Sequence, residues 1–430
     1  MKKTVVFAAL LIGALAAVSP VFATGKTDSP SSSAAGPVTL KWAMWDADLT
    51  VYYKPLVAAW EAAHPNIKIE LVDLGSADFM TVLGTQLSGG ADLDVVMVKD
   101  IPGYANLVKQ NRLEGLNSYI KSAKIDTALY GGTTEQITVN GEVYALPFRS
   151  DFWVVFYNKD LFDAAGVPYP SNDMTLEQYD ALARRLVRGS GAGKTYGAHY
   201  HTWRSAVTLF GILDGRHTIV DGTYDFLAPH YDRVLAEQKD GVVMDFTTIK
   251  TSGAHYSGVF FNNQAAMVNM GTWFLATQID KVKSGESMAK NWGLVKYPHP
   301  AGVPAGTTLG TITSVGVNKN SKNKAAALDF VQFICGPEGA AILANTGTIP
   351  AIMSDQVINS LVSMSGFPQD AASKEALKVY KTYLEMPLHE KSADIELVLN
   401  ENHDAIMGGT ITVEEGIRDM NTRVARILGK

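Results

Sequence analysis

The chain has 430 residues, with 37 Lys and Arg against 43 Asp and Glu, and one cysteine, Cys335. That balance argues against binding nucleic acid through its phosphates, which needs a positive footprint. A lone cysteine excludes an internal disulfide framework and any Cys-based zinc site.

Lys2 and Lys3, the apolar stretch Thr4 to Val18 and the small-residue site Val21-Phe22-Ala23 read as an export signal over residues 1–23, cleaved after Ala23. The apolar stretch falls short of the about 20 residues a membrane span needs. No later segment qualifies, so the mature chain is expected to be soluble. Losing Lys2 and Lys3 takes the 37 basic residues to 35 against 43 acidic ones, a net charge of −8. Residues 24–36, rich in Ser, Gly and Ala, cannot bury enough surface to fold and form a flexible leader. The length that remains predicts two or three domains.

Val38, Leu40, Trp42 and Met44 alternate as a strand ending at Trp45-Asp46. Leu56, Trp60 and Ala63 then recur at helical spacing until His64-Pro65-Asn66. Ile67, Ile69 and Leu71 form a second strand, and Phe79, Leu83 and Leu87 a second helix that stops at Gly89-Gly90. The apolar run Val95 to Val98 predicts a strand covered on both faces. This alternation implies right-handed crossovers and a parallel sheet, whose ligands sit outside the carboxyl ends of the strands. Trp45, Asp46 and Asp100 stand there. Residues 137–146 around Asn140-Gly141 predict a tight hairpin. Phe152 to Tyr157 opens a second α/β lobe, and Thr175-Leu176-Glu177-Gln178 announces a helix by its capping-box pattern. Ala265 to Val268 is a buried strand leading to Gly271-Thr272-Trp273, and residues 292–300 and 313–317 supply further strands. The tail reads as helical, with a second capping box at Thr412-Val413-Glu414-Glu415.

Four blocks carry a resemblance to a known family. The first is Pro147 followed by Tyr157-Asn158-Lys159-Asp160-Leu161-Phe162 and Ala165-Gly166. The second is Ala265-Ala266-Met267 with Gly271 and Trp273, where Asn263 replaces a glycine of the family pattern; Asn tolerates the left-handed backbone best among replacements. Ser321-Lys322 through Glu338 and Gly347-Thr348-Ile349-Pro350 complete the set. Together they resemble the extracellular solute-binding proteins of ABC importers, carbohydrate branch, of the maltose-binding type. Leu176, Leu93 and Leu309-Gly310 depart from the family pattern, the last near the expected cleft.

The resemblance implies an α/β fold of the type II periplasmic binding class: two lobes, each a mainly parallel sheet flanked by helices, joined by hinge crossings. The first lobe is expected at 37–150 plus 315–352 and the second at 151–314 plus 353–430. It also implies a monomeric receptor that closes around a mono- or oligosaccharide and presents it to a membrane permease, with no cofactor, metal or catalytic residue. The absence of a lipidation cysteine after the signal favours release into the periplasm.

A sugar cleft needs hydrogen-bonding groups beside aromatic faces. Asp46 and Asp100 would accept hydroxyl protons or cap helices, and Asp151 aligns with an acidic ligand position of the family. Arg149 would donate to the ligand or pair with an Asp. Trp273 is the foremost stacking platform, followed by Trp45, Trp153 and Trp203, each of which could equally be core; Trp42, Trp60 and Trp292 read as core. Ser76 and Thr311 are further hydroxyl candidates. Gly189 to Thr195 mimics a phosphate loop, but Arg188 stands where glycine is required. His199 and His201 lack a companion at metal-ligand spacing. The alternatives are an exported lyase or glycosidase using two cleft carboxylates, and the same receptor taking a polyol, peptide or sugar phosphate.

Overall fold

The alternation of Val38, Leu40 and Trp42 becomes strand β1 (Val38–Met44), which pairs in parallel with β2 (Ile67–Asp73) and β3 (Val95–Val98). The computed structural model describes residues 38–430 apart from 49 and 77; the expected signal and leader lie outside the described residues. The intervening helices, Tyr53–Ala63 and Phe79–Ser88, bury the residues that their periodicity marks, Leu56 and Trp60 in one, Phe79, Leu83 and Leu87 in the other. β3 is buried along its whole length, as a strand covered on both faces must be.

Two long strands organise the rest. β4 (Leu146–Asn158) and β8 (Thr307–Val317) run antiparallel from Leu146 opposite Val315 to Phe152 opposite Gly310. β8 also borders β3, while the far half of β4 pairs with β6 (Ala265–Gly271) and β7 (Trp292–Lys296). β5 (Tyr196–His199) lies parallel to β6, and β9 (Lys381–Leu384) parallel to β8. The sheet order is β2-β1-β3-β8-β4-β6-β5, so β4 and β8 cross from one α/β lobe to the other. Around β4 the second lobe is antiparallel, since β4 runs opposite to both β6 and β7. Expecting a mainly parallel sheet in each lobe therefore describes the first better than the second.

Three apolar clusters form the core. One holds Trp42, Trp60, Val96 and Phe330 beneath the first lobe. Two flank the second lobe's sheet, one with Val155, Tyr179, Met267 and Leu399, the other with Phe156, Val268, Phe274 and Leu294. Ala340, Ala344 and Ile349 join the last of these, so the returning chain packs against the second lobe as well as the first. Both capping boxes form: Thr175 accepts from the Gln178 amide and Thr412 from the Glu415 amide. Asn263 takes the left-handed conformation at φ 56°, as its place in the motif requires. The 137–146 hairpin reduces to a single bridge, Val139 opposite Glu142, around left-handed Asn140 and Gly141. The tail is not wholly helical, since it contributes β9. Among the described residues no single helix is long and apolar enough to cross a membrane.

Candidate functional site

Where β4 and β8 cross, Arg149 and Asp151 face Thr313 and Thr311 on the neighbouring strand. The Arg149 guanidinium lies 3.7 Å from the Asp151 carboxylate and 5.4 Å from the Tyr52 ring centre. Asp151 is fixed from the second lobe: the Thr272 hydroxyl donates to it at 2.9 Å and itself accepts the Phe152 amide at 3.3 Å. Burial pushes the Asp151 carboxyl above the usual range, against the pull of Arg149. The expected pairing of Arg149 with an Asp is therefore present.

The carboxyl ends of β1 and β3 supply the first lobe's wall. Asp46 sits in a left-handed turn, φ 51°, which Asp73 at the end of β2 pins by accepting the amides of Asp46, Ala47 and Gly75. Trp45 is nearly buried against Phe79, with the Lys99 ammonium 5.6 Å from its ring centre. Lys99 donates to the Ser76 carbonyl at 2.6 Å, so Ser76 acts here through its backbone. Burial draws the Lys99 amine below its ordinary value although Asp100 and Asp46 oppose this. Asp100 caps the helix Ile101–Lys109, accepting the Gly103 amide at 2.7 Å. Burial first, and Glu396 second, raise its carboxyl to about 6. Helix cap and strand end thus coincide in Asp100.

The second lobe answers with an aromatic corner. Trp273, after β6, lies 6.1 Å from Trp203 at 60° and 5.6 Å from Trp153 at 85°. Trp203 also meets Tyr256 at 5.7 Å and His201 edge-on at 4.7 Å. Trp203 is 40% exposed, whereas Trp153 is 1% exposed. Trp153 therefore belongs to the core: it backs Trp273 and donates its indole N–H to Glu385 at 3.4 Å. Its place on β4 turns it inward, so as a stacking candidate it is corrected to a support. Trp42, Trp60 and Trp292 are core, as expected.

Several residues here carried no signal in the sequence. Tyr52, Lys99 and Tyr256 neighbour recognised motifs but belong to none. Glu385, at the end of β9, is raised by burial and then by Glu396, with Arg204 opposing. Arg204 reaches Glu396 at 3.4 Å and donates to Asn400 at 3.2 Å, anchoring the helix Ser392–Met407 that packs on Ile101–Lys109 of the first lobe. Of the cations here, Arg149 and Arg204 are each ion-paired with a carboxylate, and Lys99 is held by the Ser76 carbonyl. A second groove, about 630 Å³ between the helices Ala228–Lys239 and Val413–Ile427, is lined by Asp225, Asp232, Glu414 and Arg418 without any aromatic ring.

The model of the bacterial extracellular solute-binding proteins matches residues 46–341. The chain belongs to this family. Among solved structures, a sugar transporter from Rhizobium etli in an open conformation is 56% identical, with a TM-score of 0.79, over 90% of this chain and 98% of that one. A Listeria monocytogenes ABC substrate-binding protein in complex with cycloalternan shares the fold at 22% identity and a TM-score of 0.78, covering 91% and 99%. The lactose-binding protein of Rhizobium radiobacter is 25% identical over 70% of either chain. The family relationship expected from the motifs, a solute-binding protein of the carbohydrate branch, holds, and so does the two-lobed fold. Membership of an extracellular family puts the protein outside the cytoplasmic membrane, and an ABC permease is its family's partner.

Proposed function

We propose that this solute-binding protein captures an uncharged mono- or oligosaccharide between its lobes and passes it unaltered to an ABC importer permease. One observation carries the reading. The exposed ring of Trp203 and the partly buried ring of Trp273 stand on one lobe, while Asp46, Asp100 and the Arg149–Asp151 pair stand on the other and at the crossing. Aromatic faces suit sugar C–H surfaces, and side chains of both signs suit hydroxyls, which donate and accept. The names of relatives, a sugar transporter and a lactose-binding protein, support it. A sn-glycerol-3-phosphate-binding relative, 22% identical, represents the competing anionic cargo. The pairing of Arg149 and Arg204 with Asp151 and Glu396, and the hold of the Ser76 carbonyl on the Lys99 ammonium, disfavour a phosphate here.

In this reading residues 37–150 with 315–352 form one lobe and 151–314 with 353–430 the other. Hinges lie at 148–151, 310–314 and 350–354. Closure follows from contacts that a ligand makes to both lobes at once. The protein acts as a monomer in the periplasm, and chemistry on the sugar forms no part of its work.

Thermal-shift and calorimetric titrations with mono- and oligosaccharides test this. A sugar that binds only the folded state raises the midpoint. Phosphorylated sugars should leave it unmoved, and chromatography should find the sugar intact. Formation of a new saccharide product would overturn the receptor reading. Trp273→Ala should weaken binding by about 1–3 kcal/mol with the fold retained, in the range for a buried interface aromatic. Unchanged affinity would remove Trp273 from the site. Asp100→Asn keeps an oxygen to accept the Gly103 amide, and Asn caps as well as Asp. Its stability should stay within about 0.5 kcal/mol while its sugar affinity falls; a collapse in midpoint would make Asp100 a purely structural cap.

A further inference from the structure

His201 follows β5 and stands behind the rim of the aromatic corner. Its ring is 4.7 Å from Trp203 at 88° and 5.4 Å from Tyr256 at 79°. Two more imidazoles flank it, His199 at 5.9 Å and His255 at 5.7 Å. His199 is 1% exposed, and neither of its ring nitrogens has a hydrogen-bond partner among the described residues; the same is true of His201 Nδ1. His255 differs: its Nδ1 accepts from the Ser257 amide and hydroxyl, which puts its proton on Nε2. The geometry does not gather these rings around a metal. Among the described residues no three His, Cys, Asp or Glu side chains converge as a metal site.

What the three rings share is neutrality. Burial draws His199 down to about 3 and His201 to about 4, helped in the latter by His255 and by the Lys250 ammonium, and it lowers His255 as well. A neutral imidazole offers one donor and one acceptor. The charged and hydroxyl groups around it, Arg149 with Asp151 and Thr272 and Arg204 with Glu396 and Asn400, are already engaged with one another. A buried imidazole nitrogen without a partner costs free energy unless something polar reaches it. The ring that lies against Trp203 is the one placed to meet a sugar stacked there.

We propose that His201 is a specificity-determining ligand residue, a neutral imidazole that hydrogen-bonds one hydroxyl of the sugar ring seated against Trp203, with His199 and His255 as its positioning neighbours. This rests on the sugar-binding reading above. It adds a site residue on the second lobe that selects by hydroxyl position, where the tryptophans select only for an apolar face. A site built to bond a hydroxyl discriminates strongly against an epimer that turns it away.

The test is calorimetry with glucose, galactose, maltose and lactose on the wild type, His201→Phe and His201→Gln. The Phe variant keeps an aromatic ring but no hydrogen bond, and its affinity for the preferred probe should fall at least tenfold. The Gln variant keeps a donor and an acceptor and should stay within about threefold. The wild type should lose affinity as pH falls towards 4.5 and His201 takes up a proton, and His201→Gln should show a smaller loss over the same range. Wild-type binding with an unaffected Phe variant would overturn the role of His201 and leave the sugar reading intact. No binding of any probe by the wild type would sink both. If His201→Phe does not fold, ring-nitrogen NMR of the wild type decides, with His201 assigned through the Gln variant. The preferred probe must shift the His201 nitrogens and leave those of His217, which sits beside Asp221, in place.

Discussion

Gly271→Ala should cost the protein its ligand binding, through a residue that presents no side chain to the cleft. A Cβ built on Gly271 would lie 2.0–2.3 Å from three ring atoms of Trp273, far inside contact distance. The indole cannot yield by simple displacement. Trp153 stands against it at 5.6 Å and Trp203 at 6.1 Å, while Gly271 itself is held in register opposite Trp153 on β4. The added methyl therefore rotates Trp273 out of its place or bends the end of β6, which loosens Thr272 and its bond to Asp151. Overpacking of this kind costs about 1–3 kcal/mol of stability. The functional loss should be larger, because the platform and the hinge carboxylate are disturbed together, and affinity should fall at least as far as in Trp273→Ala. Gly84, in the helix Phe79–Ser88 with open space around its would-be Cβ, is the control. Its Ala variant should be as stable as the wild type or more so, by up to about 1 kcal/mol. Calorimetry and melting curves on both variants check the pair, and wild-type affinity in Gly271→Ala would refute the argument.

That glycine shows why part of this site was legible in the sequence. Gly271-Thr272-Trp273 is a local device: a strand end, a gap, a clamp and a platform in three residues, so it survives as a motif. The same holds for Asp100, where strand end and helix cap coincide, and for the two capping boxes, whose partners are three residues apart. What the sequence hid is non-local. Glu385 reaches Trp153 because β9 pairs with β8, an alliance across more than seventy residues that no periodicity announces. Glu396 sits on a helix whose burial follows the second core, and only the packing of that helix on the first lobe brings it near Asp100. Trp153 misleads for the opposite reason. A tryptophan in a strand points to one face or the other, and the choice depends on the register of β4 against β6, which the chain reveals only when folded. His201 carries a weak signal for the same reason: a His-x-His pair without a third ligand fits a surface or cleft position, and only the fold sets it against Trp203 and Tyr256.

Acid should destabilise this protein from well above the range in which carboxylates usually protonate. Four histidines are buried in neutral form, His199 and His403 drawn down to about 3, His201 and His230 to about 4, in each case chiefly by burial. In the unfolded chain all four titrate near 6.5. Between about pH 4 and 6.5 the unfolded state thus binds protons that the folded state refuses, and stability rises with pH through that window. Two carboxyls act the other way. Asp100, raised to about 6, and Glu237, raised by burial to about 7 despite Arg233 at 2.9 Å, hold protons in the folded state that the unfolded chain releases. Their contribution is complete below about pH 4 and is lost as pH rises through 6 and 7. Asp151 and Glu385 oppose in the same sense. Set against Asp100 and Glu237 alone, the histidines leave an uptake of roughly two protons on unfolding near pH 5.5, which Asp151 and Glu385 reduce, so the slope is at most about 3 kcal/mol per pH unit. Melting temperature should therefore fall steadily from pH 7 to pH 5 at constant ionic strength. His403→Gln should flatten that slope by about one proton whatever it does to the melting temperature at pH 7, since the His403 ring meets Tyr231 through Nδ1 and is otherwise held by little beyond packing among the described residues. A melting temperature that holds constant or climbs on acidification would mean that the raised carboxyls dominate and that the four imidazoles are far less buried in solution than their packing implies.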